Sequence, residues 1–161
     1  MLEVDPREEC LLRILHDSED LPFIDESFSC VTAFLCDPFI GLNFLHEAHR
    51  VLVSGGKFIA TTPSFEWGMT LRNEIKISQQ ETRFLKKSGE RVEVPSILVT
   101  RDKLFNMLEY TGFSKEMIKI SNHCLNAYAG ELSEDIAKPA KKLNMSPYEL
   151  EILYLIEAIK K

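Results

Sequence analysis

Apolar positions in the first sixty residues come as short runs and one helical stretch. Leu11-Leu12-Arg13-Ile14-Leu15 is a run that stops at His16-Asp17-Ser18 and predicts a strand. Phe28 to Leu35 is β-branched and aromatic over one strand length, which predicts a strand buried on both faces and broken at Asp37-Pro38. Leu42 to Leu52 has helical spacing. Phe44, Ala48 and Val51 share one side with Leu45 and Leu52 beside them, while Glu47 and Arg50 lie elsewhere. Ser54-Gly55-Gly56 is expected to end that helix, because glycine accepts the left-handed residue of a C-terminal cap. Lys57 to Thr62 is the next strand, closed by Pro63. Strand, helix, glycine turn and strand form one βαβ unit, for which a right-handed, parallel crossover is expected.

Beyond Pro63 the pattern is less regular. Trp67 to Ser78 reads as a helix with Trp67, Leu71 and Ile75 in line. Glu81 to Leu85 and Arg91 to Val94 flank Lys87-Ser88-Gly89-Glu90, as in a hairpin with a glycine turn. Thr100 is an expected N-cap with Asp102 in the first turn of a helix through Leu104, Met107 and Leu108 that stops at Gly112. Met117 to Ile120 reads as a strand. Ser146-Pro147-Tyr148-Glu149 has capping-box form and predicts a final amphipathic helix burying Tyr148, Ile152, Leu155, Ile156 and Ile159.

Composition narrows the class. The 161 residues are enough for one domain with a hydrophobic core, and 45% hydrophobic with 27% charged positions is ordinary for a globular protein. A net charge of −6 and a pI near 5.3 argue against a nucleic-acid or anionic-membrane partner. Cys10, Cys30, Cys36 and Cys124 show no CxxC spacing, and the opening residues carry no signal-peptide pattern, so reduced thiols in a cytoplasmic protein are expected. The most apolar window, Cys30 to Leu45, is interrupted by Asp37, Pro38 and Asn43 and is too short to span a bilayer.

Three segments carry the chemistry: Asp17-Ser18-Glu19-Asp20-Leu21-Pro22-Phe23, then Asp25-Glu26-Ser27-Phe28, then Glu47-Ala48-His49-Arg50-Val51-Leu52-Val53-Ser54-Gly55-Gly56-Lys57. In order and spacing they resemble the central motifs of the class I S-adenosylmethionine-dependent methyltransferases, in the small-molecule branch of that family. Ser29 stands where the family usually has aspartate, and Ser54 where it usually has proline. Taken alone, Asp17 and Ser18 read as the cap of a turn. The resemblance implies instead an adenine site, with the Asp17 carboxylate on the exocyclic amine, the Ser18 N–H on a ring nitrogen and Leu35 alongside. Cys36 and Asp37 follow on the substrate-facing edge, and with Trp67 they are candidates to face the methyl acceptor. By residue type alone, Cys36 is a small buried apolar group and Asp37 begins a turn. Leu21-Pro22-Phe23 reads as loop packing and Glu47 with Arg50 as a structural pair.

The resemblance also implies a G-x-G-x-G loop for the amino-acid end of the cofactor, where a Cβ would block the approach. The seven glycines include no GxG pair. Asp5 resembles the acid that holds the ribose hydroxyls, but only 12 positions (17 − 5) separate it from Asp17, too few for a full helix and strand. His46 and His49 stand three apart without a third ligand, so a solvated helix face and no metal are expected.

The fold class that follows is α/β, an incomplete Rossmann-like methyltransferase sheet lacking the first strand and glycine loop. A helix-plus-hairpin insertion at residues 66–99 follows the Lys57–Thr62 strand, and 1–161 form a single partial, N-terminally truncated domain. The function implied is S-adenosylmethionine-dependent methyl transfer to a small-molecule acceptor. The alternative is a catalytically inactive methyltransferase-like subunit acting through protein–protein contacts. On the second reading a homodimer or partner chain is expected to cover the exposed sheet.

Overall fold

The computed structural model describes residues 2–4, 12–14, 16–76, 78, 80–124 and 134–161. In chain order the strands and helices are β1 (Leu2–Val4), β2 (Leu12–Ile14), β3 (Phe28–Ala33), α1 (Leu42–Val51), β4 (Leu52–Pro63), α2 (Phe65–Ile75) and β5 (Glu81–Leu85). They continue with β6 (Arg91–Pro95), α3 (Arg101–Tyr110), a 3₁₀ turn at Lys115–Met117, β7 (Lys119–Cys124), α4 (Glu134–Lys142) and β8 (Glu151–Ile159).

A four-stranded mixed sheet in the order β3-β4-β8-β7 organises these elements. β3 and β4 run parallel with Val31 opposite Phe58, the crossover orientation expected of the βαβ unit. β8 lies antiparallel to both β4 and β7, with Ile156 between Ala60 and Ile120. Along β8 burial alternates, so that Tyr154, Ile156 and Ala158 face the core. That face packs against Phe44, Leu45 and Ala48 of α1 and Leu104 and Leu108 of α3. Phe58 sits at the centre, its ring 6.0 Å from that of Phe44 and 5.6 Å from that of Phe113. β1 and β2 pair antiparallel as a separate ribbon, and β5 with β6 form the expected hairpin around Gly89.

Several elements match the sequence pattern. Thr100 Oγ1 accepts the Lys103 N–H, as an N-cap should. α2 begins at Phe65, two residues earlier than its apolar line predicts, because Ser64 is the better cap and accepts the Trp67 N–H. Other elements differ. α1 ends at Val51, and Leu52 already opens β4, so Gly55 and Gly56 lie inside the strand. Gly55 has φ +75, and a Cβ on Gly56 would stand 2.8 Å from the Val53 carbonyl. The pair thus makes a tight irregularity in β4, which accepts and donates hydrogen bonds to Lys160 at 2.9 and 3.0 Å.

β3 is not buried on both faces. It is an edge strand among the described residues, with Ser29, Cys30 and Thr32 exposed. The predicted strand at 117–120 is displaced to Lys119–Cys124 by the 3₁₀ turn. The largest correction concerns the final helix. Ser146 to Glu149 form a turn, and residues 151–159 are strand β8. Ile152, Leu155, Ile156 and Ile159 fit a 3.6-residue period and split between the two faces of a strand, so the two flanking strand edges, not the apolar period, make this segment a strand. α4 has no counterpart in the apolar pattern and carries Pro139 inside it. Among the described residues no helix is long and apolar enough to cross a membrane.

The strand assignment makes Ile156 fully buried and leaves Tyr148 44% exposed, although a helix would have buried both. Ile156→Ala is expected to cost about 2–5 kcal/mol and Tyr148→Ala less than about 0.5 kcal/mol, read from urea midpoints. Equal losses at the two positions would contradict the strand.

Candidate functional site

The loops after β3 and β4 lie at the carboxyl ends of the parallel pair, where an open α/β sheet gathers ligands, and the turn after β2 is tied to the helix that follows the first of them. Asp17 follows β2 and is exposed. Its Oδ1 accepts the Glu19 N–H at 3.0 Å, and its carbonyl accepts the Asp20 N–H at 3.3 Å. The carboxylate therefore caps the turn that contains half-buried Ser18. Glu19 Oε2 accepts the Asn43 side-chain N–H at 3.2 Å, tying this turn to the start of α1 and so to the loop after β3.

Leu35 lies in that second loop with φ +51, a left-handed conformation that costs a branched residue about 1–2 kcal/mol. Two bonds to β4 hold it there. The Leu35 N–H donates to Thr61 Oγ1 at 3.0 Å and the Cys36 N–H to the Thr61 carbonyl at 2.9 Å. The Leu35 side chain remains 56% exposed at the edge. Cys36 turns the other way into the core, where burial pushes its thiol up to about 12. Asp37 is also buried. Its Oδ2 accepts the Ser96 hydroxyl at 2.5 Å, and Arg72 Nη2 donates to Ser96 Oγ at 2.5 Å. Burial lowers the Arg72 pKa, against the opposing pull of Asp37. This buried chain fastens α2 and the end of the β5–β6 hairpin to the loop after β3.

Trp67 is half-buried in the first turn of α2. Beside it, Tyr154 Oη donates to Glu66 Oε2 at 2.8 Å and accepts the Phe65 N–H at 3.4 Å. Burial and the Glu66 carboxylate push the phenol up to about 12, so it is a fixed donor at neutral pH. Asp5 lies outside the described residues. The structure therefore leaves Asp17, Ser18 and Leu35 at or near the surface and withdraws both Cys36 and Asp37 into the interior, where Asp37 serves as a buried tie to Ser96. Thr61, Ser96, Arg72 and Tyr154 were not legible beforehand, since each is recruited by a partner at least 24 positions away.

The edge is held in place by the Glu47–Arg50 pair. Arg50 Nε and Nη2 donate to the two Glu47 oxygens, each at 2.7 Å. Arg50 also donates to the carbonyls of Phe23 at 2.7 Å and Leu21 at 3.1 Å and to Asp25 Oδ1 at 2.8 Å. Glu47 Oε2 accepts the Leu21 N–H at 2.8 Å. The Arg50 hydrogen bond holds the Glu47 carboxyl below its usual range.

His49 is half-buried, not solvated, with its ring 5.1 Å from Phe113 and Gly112 against its Nε2. Gly112 has φ +107, and a Cβ there would stand 2.9 Å from that nitrogen. Burial, then the Lys160 charge, lowers the His49 pKa. No group of three or more metal-ligating side chains occurs among the described residues.

Residues 3–60 match the family model described as "Methyltransferase domain". No curated protein matches the chain. Among solved structures, an S-adenosylmethionine-dependent methyltransferase from Mesorhizobium loti is 15% identical with a TM-score of 0.55, covering 90% of this chain and 68% of its own. A Methanosarcina mazei S-adenosylmethionine-dependent methyltransferase is 17% identical with a TM-score of 0.58, covering 90% and 65%. Phosphoethanolamine N-methyltransferase 2 of Haemonchus contortus, solved with S-adenosyl-L-methionine, is 15% identical with a TM-score of 0.53, covering 89% and 36%. The chain therefore spans about two thirds of the first two relatives and about a third of the last. The fold is the Rossmann-like methyltransferase fold, present in part.

Two outcomes follow from the clamp and the buried imidazole. Arg50→Lys cannot reproduce the forked contacts, and the Leu21 amide is expected to exchange with solvent about tenfold faster by hydrogen-exchange mass spectrometry. A His49 pKa below 6.5 means that the folded state binds fewer protons than the unfolded state. Its contribution is complete above about pH 6.5 and is lost as pH falls through 6.5 toward the folded value. Urea midpoints of His49→Gln should lose that part of the acid-side slope; an unchanged slope would assign it to other groups.

Proposed function

From a methyltransferase-domain match over residues 3–60 and a methyltransferase fold over most of the chain, we propose that this protein takes part in S-adenosylmethionine-dependent methyl transfer to a small-molecule acceptor. The observation that supports the reading best is the tie of the exposed Asp17 turn, through Glu19 to Asn43, to the start of α1, the helix that follows the strained Leu35 loop, itself held to β4 by Thr61. These residues fit the adenine end of the cofactor. Asp17 offers a carboxylate for an exocyclic amine, the Ser18 backbone an N–H for a ring nitrogen, and Leu35 an apolar surface for the base. S-adenosylmethionine supplies a methyl group on a sulfonium, transferred to a nucleophilic atom of the acceptor. The chain's own share is to bind and orient. The insertion at 66–99, fastened by Asp37, Ser96 and Arg72, forms the acceptor side in this reading, with Trp67 on its first turn.

A second reading, a non-catalytic methyltransferase-like subunit, is favoured by one observation. None of the seven glycines forms the GxG needed for close approach to the amino-acid end of the cofactor. Calorimetry of the purified chain with S-adenosylmethionine and S-adenosylhomocysteine separates the two. Micromolar binding, weakened at least about tenfold by Asp17→Ala through loss of a charge-assisted hydrogen bond, is the expected result. No heat at millimolar ligand would remove the cofactor from this chain and leave the subunit reading.

A further inference from the structure

Two exposed carboxylates converge on one buried phenol at the foot of α2. Tyr154 is 2% exposed, and its Oη donates to Glu66 Oε2 at 2.8 Å. Ser64, the cap of α2, holds the second acid close: its Oγ donates to the Glu151 carbonyl at 2.6 Å and accepts the Trp67 N–H at 3.3 Å. Both Glu66 and Glu151 are exposed, and both charges bear on the phenol, whose pKa is raised by burial first and by these acids after it. Thr62 and Asn122 stand opposite Tyr154 on its two flanking strands, and residues paired in this way share a face of the sheet. Thr62 is fully buried, and its Oγ1 has no hydrogen-bond partner among the described residues. Asn122 donates through Nδ2 to Glu151 Oε2, while its Oδ1 is buried and likewise without a partner. Leaving a buried acceptor unpaired costs about 1–3 kcal/mol, so the row through Tyr154 is short of a donor.

We propose that Glu66, Glu151 and the Asn122 amide oxygen bind a primary ammonium group. An ammonium brings three donors and no acceptor, which is what this set of oxygens lacks. Each carboxylate uses one oxygen on its bond to Tyr154 or Asn122 and has a second to offer. The field agrees, since two carboxylates beside a protonated phenol, in a chain of net charge −6, draw a cation. The acids stand just past the carboxyl end of β4 and at the opening of β8 beside it, where Pro63 pairs with Leu153. That is the ligand end of the parallel pair. Resting on the methyl-transfer reading, the ammonium is the handle by which the methyl acceptor is held, so the acceptor belongs to the amines. Binding of the ammonium itself needs no cofactor.

Titration of the full chain with propylammonium chloride near neutral pH, followed by amide correlation spectra, tests the site. Saturable shifts are expected at the Phe65 and Trp67 amides and the Asn122 side-chain amide at millimolar amine, and none with 1-propanol, its neutral analogue. Glu66→Gln and Glu151→Gln keep an oxygen for Tyr154 and for Asn122 but remove the charge. Each should weaken the amine about fivefold or more, with the rest of the spectrum unchanged. Equal shifts from the amine and the alcohol, or an affinity indifferent to both substitutions, would overturn the proposal. Calorimetry with S-adenosylmethionine separates the two readings. Amine shifts without cofactor heat uphold the ammonium site and remove only its part in methyl transfer. Cofactor heat without amine shifts overturns the site and leaves the methyl-transfer reading standing.

Discussion

Two side chains one helical turn apart, Glu47 and Arg50, hold this edge of the molecule together. Their mutual contact uses only part of their capacity. The rest goes to the backbone of residues 21–25, a segment without regular structure of its own. That segment joins the Asp17 turn to β3, so its placement decides where the turn stands relative to the strand. Helix α1 is in turn fixed by Phe44, Leu45, Ala48 and Val51 in the core. The position of the exposed Asp17 carboxylate thus descends, through one forked ion pair, from the packing of a buried helix face.

The first sixty residues were largely legible in the sequence because their chemistry is local. An apolar strand and an amphipathic helix each declare themselves within a dozen positions, and Glu47 with Arg50 fit one helical turn, whereas the glycine pair expected to end the helix lies inside β4. Their full role was not legible, since the Leu21 and Phe23 carbonyls carry no mark in a sequence. The edge exposure of β3 was hidden for the same kind of reason. A β-branched run looks alike whether one or two neighbours flank it. β8 failed differently: its apolar positions have helical spacing, and pairing with β4 on one edge and β7 on the other overrode it. The cofactor roles proposed for Asp17 and Leu35 rest on motif resemblance. Ser96 and Arg72 had no such motif, because their significance lies in meeting Asp37 across 59 positions in one case and in a bridged contact in the other.

The buried Asp37–Ser96–Arg72 chain also explains how a helix and hairpin outside the main sheet keep a fixed relation to it. A buried carboxylate and guanidinium are costly unless their hydrogen bonds are met, and the Ser96 hydroxyl meets both at once. A serine at this junction gives a directional tie where apolar packing would allow sliding. Tyr154 plays the corresponding part on the other side of α2, linking the sheet's second central strand to Glu66 and to the Phe65 amide.

The central place of β8 bears on how the chain is made. Lys57 of β4 pairs with Ile159 of β8, 102 positions later (159 − 57). At translation rates of about 5–20 residues per second, β4 waits roughly 5–20 s for the strand that covers its second edge. Through that interval the nascent chain presents an unpaired strand edge, so its exposure to misassembly is set by the order of its strands rather than by the stability of the finished sheet.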